Sequence, residues 1–246
     1  MMKKIWKKCM LLMLGAVSVS PVAAHANMMV YPMQSNIEAG AHNTGQLWAY
    51  SHSGKTQYVQ VVVKRVLNPA TQQEQEEEVK AWDGSGLIAS PTKFALPAGG
   101  SRAVRLVPAS TPTAQTVYRV YLEPVAAPGL GDTPTTNTHG KVSVSIIWGA
   151  IVHVMPEQAS VQFAQDGDAL INTGTVKARL TGIAQCSGAG QNACRWTDLA
   201  QSVYPGMRWS LPRALQGQTL RVRYLPHDAK TPQELPVHPA NHQAGT

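Results

Sequence analysis

The chain has 246 residues, 43% of them hydrophobic and 14% charged, with a formal net charge of +7. Four of its 21 basic residues (Lys3, Lys4, Lys7 and Lys8) precede an apolar run from Met10 through Val19 and the A-x-A pattern Ala24-His25-Ala26, which reads as a cleavable export signal over 1–26. Without that segment 17 Lys and Arg face 14 Asp and Glu, a balance of +3, which argues against nucleic acid or an anionic membrane surface as partner.

The apolar run is too short for a membrane anchor, so no stable membrane insertion is expected. Export places the protein in an oxidising compartment.

From residue 27 onward the dominant hydrophobic period is two. Met28–Tyr31, Gln46–His52, Tyr58–Leu67, Arg102–Val107 and Thr116–Pro124 alternate or run β-branched. Glu38-Ala39-Gly40, His52-Ser53-Gly54, Asn68-Pro69, Asp83-Gly84-Ser85-Gly86 and Pro97-Ala98-Gly99-Gly100 punctuate them as turns. Gln72–Lys80 is charged and has no apolar stripe; it is expected as a solvated connection or a short helical turn. Gly129 through Gly140 carries almost no apolar residue and reads as a long flexible loop.

The strongest strand signal follows, KVSVSIIWGAIVHVM over Lys141–Met155. One face carries Val142, Val144, Ile146, Trp148, Ala150, Val152 and Val154; the other carries Ser143, Ser145, Ile147, Gly149, Ile151, His153 and Met155. The leading half alternates apolar with Ser, whereas the trailing half is apolar on both faces, as in a buried central strand. Pro156 ends it, and the domain boundary is expected at Pro156–Gln158.

Strand signals resume at Ser160–Phe163, Ala169–Ile171, Val176–Gly182 and Leu220–Leu225, with turns at Asn172-Thr173-Gly174 and Tyr204-Pro205-Gly206. Cys186 and Cys194 are separated by seven residues, and an even count in an oxidising compartment reads as one disulfide. The stretch 227–246 is rich in Pro and His, lacks periodicity and is expected to be loosely ordered. The division is thus 1–26 signal, 27–156 first domain, 157–226 second domain and 227–246 tail. Many short strands with Gly/Pro punctuation imply an all-β sandwich architecture.

Three stretches resemble the periplasmic pilus-assembly chaperones of the chaperone–usher pathway, the PapD-like family. They are Ser90–Pro108, Thr116–Pro128, and the loop and strand running to Pro156. The resemblance spans about residues 28–226 and lies in order and spacing more than in any single motif. It implies two immunoglobulin-like β-sandwich domains set as an L or boomerang. It implies pilus subunits and an outer-membrane usher as partners, with no cofactor and no catalysis. In such chaperones the first half of the last strand of the first domain is lent to a client that lacks its own final strand. The matching residues are Val142, Val144 and Ile146, with Trp148 continuing the face. Burial of that row in a client would contribute about 5–10 kcal/mol gross, at roughly 1.5–3 for each side chain, before the costs of association. A period-two edge strand beside a long loop is otherwise an aggregation liability; self-association without a client is left open.

One family feature is absent. An Arg on the first strand and a Lys on the last normally grip the client's terminal carboxylate, and the matching positions here are Ser35 and Ile151. The Cys pair and the YPG-containing second half resemble the divergent "alternate" members. Arg119, Arg179 and Arg208 are candidate substitutes, each also readable as an ordinary surface charge.

Other function classes have weaker support. No G-x-S-x-G elbow, H-E-x-x-H or P-loop is present. His227, Asp228, His238 and His242 in a Pro-rich tail form no rigid ligand set, so no metal is expected, and Met28, Met29 and Met33 read as flexible core filling. The alternative reading is a two-domain secreted adhesin or carbohydrate-binding sandwich, for which Trp48, Trp82, Trp196 and Trp209 would supply aromatic surface.

Overall fold

A computed structural model describes residues 27–40, 43–79, 86–127, 145–187, 194–226 and 229–240. Among these the regular structure is β-strand, apart from one short 3-10 turn at Arg213–Leu215. The strands form four sheets that pack as two sandwiches, each with its own core.

The first sandwich contains β1 (Met28–Tyr31), β2 (Gln34–Ile37), β3 (Gly45–Ser51), β4 (Gln57–Leu67), β5 (Gln75–Glu78), β6 (Leu87–Ser90), β7 (Lys93–Leu96), β8 (Ser101–Pro108), β9 (Thr116–Val125) and β10 (Trp148–Val154). One sheet has the order β1-β3-β8-β6; the other has β2-β10-β9-β4-β5, with β7 also paired to β4. Period-two alternation sets the core: Leu47, Ala49, Val104 and Leu106 from one sheet meet Val59, Val61, Val120, Leu122, Ala150 and Val152 from the other.

The second sandwich contains β11 (Phe163–Asp166), β12 (Ala169–Asn172), β13 (Ala178–Cys186), β14 (Cys194–Val203), β15 (Arg208–Ser210), β16 (Leu220–Leu225), β17 (Gln233–Pro236) and β18 (His238–Pro239). Its sheets have the orders β15-β12-β11-β18 and β14-β13-β16-β17. Leu170, Leu180, Ile183, Leu220 and Val222 centre the core. The predicted turn at Asn172-Thr173-Gly174 is present, and its Asn is fully buried. Asn172 Nδ2 donates to the Val176 and Val203 carbonyls, at 2.9 and 2.8 Å, and Oδ1 accepts from Gly174 N–H at 2.9 Å. A buried amide with three bonds incurs little desolvation penalty and fixes the local chain path.

Cys186 and Cys194 are register partners on β13 and β14 and are joined by a disulfide. The expected staple is therefore in place, closing a hairpin.

Several sequence expectations change. Among the described residues, the strand predicted over Lys141–Met155 is paired from Trp148 to Val154, and residues 145–147 have no ladder partner. The register pairs Trp148 with Leu122, so Ile146 falls opposite Pro124, which has no N–H to donate. Gln72–Lys80 contributes β5, whose acidic residues pair with Lys64–Leu67 of β4. Polar alternation on an edge strand hides the period-two signal there. Of the three methionines, Met28 is core, while Met29 and Met33 are exposed. The tail is partly ordered: β17 pairs with β16, and β18 runs parallel to β11. Val237 between them is buried in the second core, which explains the order of a stretch with no periodicity. The Gly129–Gly140 loop, Trp82, Val142, Val144, His227 and His242 lie outside the described residues.

Candidate functional site

The core-facing row of β10 leaves the core at one end. Ala150, Val152 and Val154 are buried against both sheets. Trp148 is half-buried and packs on the rim of the same core. Two residues upstream, on the same face, Ile146 is 48% exposed, and its neighbour Ile147 is 56% exposed. The row of apolar side chains thus extends past the apolar surface available to it within this sandwich.

Backbone pairing shows the same asymmetry. β10 has β9 on one flank along its whole length, from Trp148↔Leu122 to Val154↔Thr116. On its other flank the parallel strand β2 covers only Ile151 to Val154. Ile151 N–H also donates to the Met33 carbonyl at 2.9 Å. β2 pairs with nothing upstream of that point among the described residues, so Trp148, Gly149 and Ala150 form the uncovered half of an edge. β2 was not anticipated from sequence: QSNI is short and polar, and its strand state depends on β10 beside it.

The opposite, odd-numbered face of β10 lies on an ionic cluster. Gly149 faces Tyr121, whose ring occupies the space a Cβ would need: ring carbon Cε1 would lie 3.0 Å from it. Tyr121 hydroxyl donates to Glu76 Oε1 at 2.8 Å, and Lys64 Nζ lies 5.2 Å from the ring centroid. Arg119 bonds Glu76 through Nη1 and Glu74 through Nη2, the latter at 2.9 Å, and Lys64 Nζ is 3.5 Å from Glu76. Burial pushes the Glu76 carboxyl up, but the Tyr121 hydroxyl, Arg119 and Lys64 outweigh it and hold the group below the usual carboxylate range. Arg119 is held firmly in its charged form: burial opposes this, and the bonds it makes to Tyr121, Glu74 and Glu76 overcome it.

A cavity of about 260 Å³ opens where the two sandwiches meet. Gln34, Asn36, Gln115 and His153 line it from the first sandwich; Lys177 and Arg179 line it from the second. Burial, reinforced by the charge on Arg179, lowers the Lys177 ammonium below the ordinary lysine range.

The three candidate anchors therefore differ. Arg119 is engaged by Glu74 and Glu76. Arg208, on β15 in another sheet, bonds Asp166 Oδ2 at 2.5 Å. Arg179 lines this cavity, and Arg119 lines an adjoining one with His153, Lys177 and Tyr204. Gln115, His153 and Lys177 were not singled out from sequence. They lie 24 to 62 positions apart, and the only hint was a histidine within the apolar run IVHVM.

Two sandwiches joined across a cleft, with the last strand of the first left half-open at its edge, define an assembly chaperone rather than a single-sandwich structural protein. Comparison with known proteins agrees. No family model matches the chain. A CS1 fimbrial subunit from Escherichia coli is 34% identical over 196 residues, covering 76% of this chain and 80% of its own length. A CFA/I fimbrial subunit from the same species is 30% identical over the same shares. Among solved structures, a chain from a chaperone–tip adhesin complex of CFA/I fimbriae biogenesis has a TM-score of 0.71 at 26% identity. The class 5 fimbriae chaperone CfaA has a TM-score of 0.69 at 27% identity, and each covers 87% of this chain and 100% of the other. The chain belongs to the PapD-like family of periplasmic pilus-assembly chaperones. It is a chaperone of pilus assembly.

Proposed function

We propose that the protein captures pilus subunits by lending them the leading half of the strand that ends in β10, and delivers them to an outer-membrane usher. The observation that carries this reading is the behaviour of one row of side chains. Ala150 and Val152 are completely buried, Trp148 is half-buried and Ile146 is exposed, all on one face of one chain segment with a half-uncovered flank. Val144 and Val142 continue the row in sequence. Period-two apolar residues on an open edge are what strand addition requires: main-chain bonds supply affinity and alternate side chains fill pockets. The relative solved with a tip adhesin supports a client occupying that place.

The client's terminal carboxylate is placed in the cleft beside Arg179 and Lys177. Those two cations line it, whereas Arg119 and Arg208 are held by acidic side chains. The N-terminal segment 1–26 acts as the export signal, and the hinge between domains falls near Pro156–Gln158.

The test is co-expression of the chaperone with a pilus client and recovery of the complex from the periplasm. Ile146→Asp should abolish recovery while leaving the thermal unfolding of the isolated chaperone within about 0.5 kcal/mol of wild type, as expected at an exposed position. Arg179→Ala should weaken recovery without abolishing it. Undiminished capture by Ile146→Asp, and by Val144→Asp, would overturn the donor-strand reading.

A further inference from the structure

Gln115 reaches from the first sandwich into the second. It lies immediately before β9. Its backbone N–H donates to the Thr175 carbonyl at 2.8 Å, and its side-chain Oε1 accepts from the Lys177 backbone N–H at 2.7 Å. Its Nε2 lies 2.9 Å from His153 Nδ1, and His153 is only 2% exposed. The His153 ring stacks on Tyr204, with centroids 6.2 Å apart, and Lys177 Nζ lies 5.5 Å from the same Tyr204 ring. One side chain therefore couples β9, β10 and the start of β13.

The chemistry of these contacts fixes protonation. A backbone N–H can only donate, so the Gln115 atom facing Lys177 N must be the carbonyl oxygen. The atom facing His153 is then the amide NH2, which can only donate as well. Nδ1 of His153 must accept, so the ring is neutral with its proton on Nε2. A proton added at Nδ1 would set N–H against N–H. Rotating the Gln115 amide to relieve that clash would set the NH2 against the Lys177 N–H instead. The bridge is satisfied in only one protonation state.

We propose that Gln115 is the positioning residue that sets the orientation of the two sandwiches, and that His153 makes its hold proton-sensitive. The charged and titratable groups facing His153 favour the same direction. Lys177 and Arg179 approach from β13, Arg119 from β9 and Tyr204 from the turn after β14. Among the described residues, Glu74 near β5 is the one acidic side chain lining this part of the cleft, and Arg119 engages it. A cationic ring would be added to a cluster that is already cationic. The bridge is intact while the ring is neutral and is lost when acid places a proton on Nδ1. The cleft between the sandwiches then loses its fixed shape.

The inference does not depend on strand donation, and its test contains no client. Spin labels on Lys93→Cys and Arg213→Cys, one in each sandwich of the full chain, report the distance between them, and nitrogen NMR reports the His153 tautomer. At about pH 8 the ring should carry its proton on Nε2 and the distance distribution should be narrow. On acidification the distribution should broaden in a one-proton step that coincides with the change of the His153 nitrogen signals. Gln115→Glu should reverse the sign: a carboxylate accepts from both Lys177 N–H and a protonated Nδ1–H, so that variant should be narrow when acidic and broader when alkaline. A role in packing alone would not invert the pH profile. A proton on Nδ1 at about pH 8, a wild-type distribution independent of pH, or an unchanged sign in Gln115→Glu would each overturn the proposal. If Gln115→Glu fails to fold, the wild-type tautomer and pH profile decide the matter.

Discussion

The two sandwiches treat their sheet edges in opposite ways. In the second, β14 is tied to β13 by the Cys186–Cys194 disulfide, and the outer strands β17 and β18 contain Pro236 and Pro239, which cannot extend a ladder. In the first, β10 is covered by β2 only along Ile151–Val154, and the apolar row continues outward to exposed Ile146. Proline on an edge strand is one way proteins blunt edges. One half of the molecule has its edges closed, and the other leaves part of one strand flank unpaired among the described residues.

The comparison breaks most directly if the two halves are not independently packed. Leu122 and Leu180 are both fully buried, one in each core. Each Leu→Ala substitution should cost about 2–5 kcal/mol, lowering only the calorimetric transition of its own sandwich. A single transition that shifts equally for both would show one cooperative unit. The next largest effect concerns the staple. Cys186→Ser with Cys194→Ser should destabilise the second sandwich by about 2–3 kcal/mol, since the bridge closes a short loop. Urea unfolding with and without reductant measures it, and the amplitude assigned to the first sandwich should not move.

The smallest effect lies on the outer face of the first sandwich. Tyr121→Phe removes the hydroxyl bond to Glu76 and should cost about 1 kcal/mol at neutral pH. The Glu76 carboxyl is held below its ordinary value in the folded protein. Its contribution is therefore complete above the unfolded carboxylate pKa of about 4.3 and fades as pH falls through the lower folded value. The wild-type and Tyr121→Phe stabilities should converge on acidification below about pH 4. A constant gap down to about pH 2 would show that the hydroxyl acts through packing and not through the carboxylate.

Residue pattern alone carried much of the fold. The strands that bury one face completely, β3, β8, β9 and the end of β10, were readable because alternation and burial coincide there. β2, β5 and β17 were not, because QSNI, QEEE and QELP are polar and are strands only through the neighbours they pair with. Met29 and Met33 read as core because hydrophobicity does not reveal which face of a strand points inward. The disulfide was accessible by counting, since two cysteines in an oxidising compartment leave one pairing.

The site divided along the same line. Composition and period by themselves determined an all-β chain and an apolar row running from Val142 through Trp148 to Val154, because a strand's side-chain alternation is a local property of its backbone. Only the tertiary structure decided that the row leaves its core between Trp148 and Ile146, since that depends on how far β2 reaches along β10. Only the tertiary structure brought Gln115, His153 and Lys177 together. Contacts between residues dozens of positions apart are set by how sheets stack, and no period in the sequence encodes them.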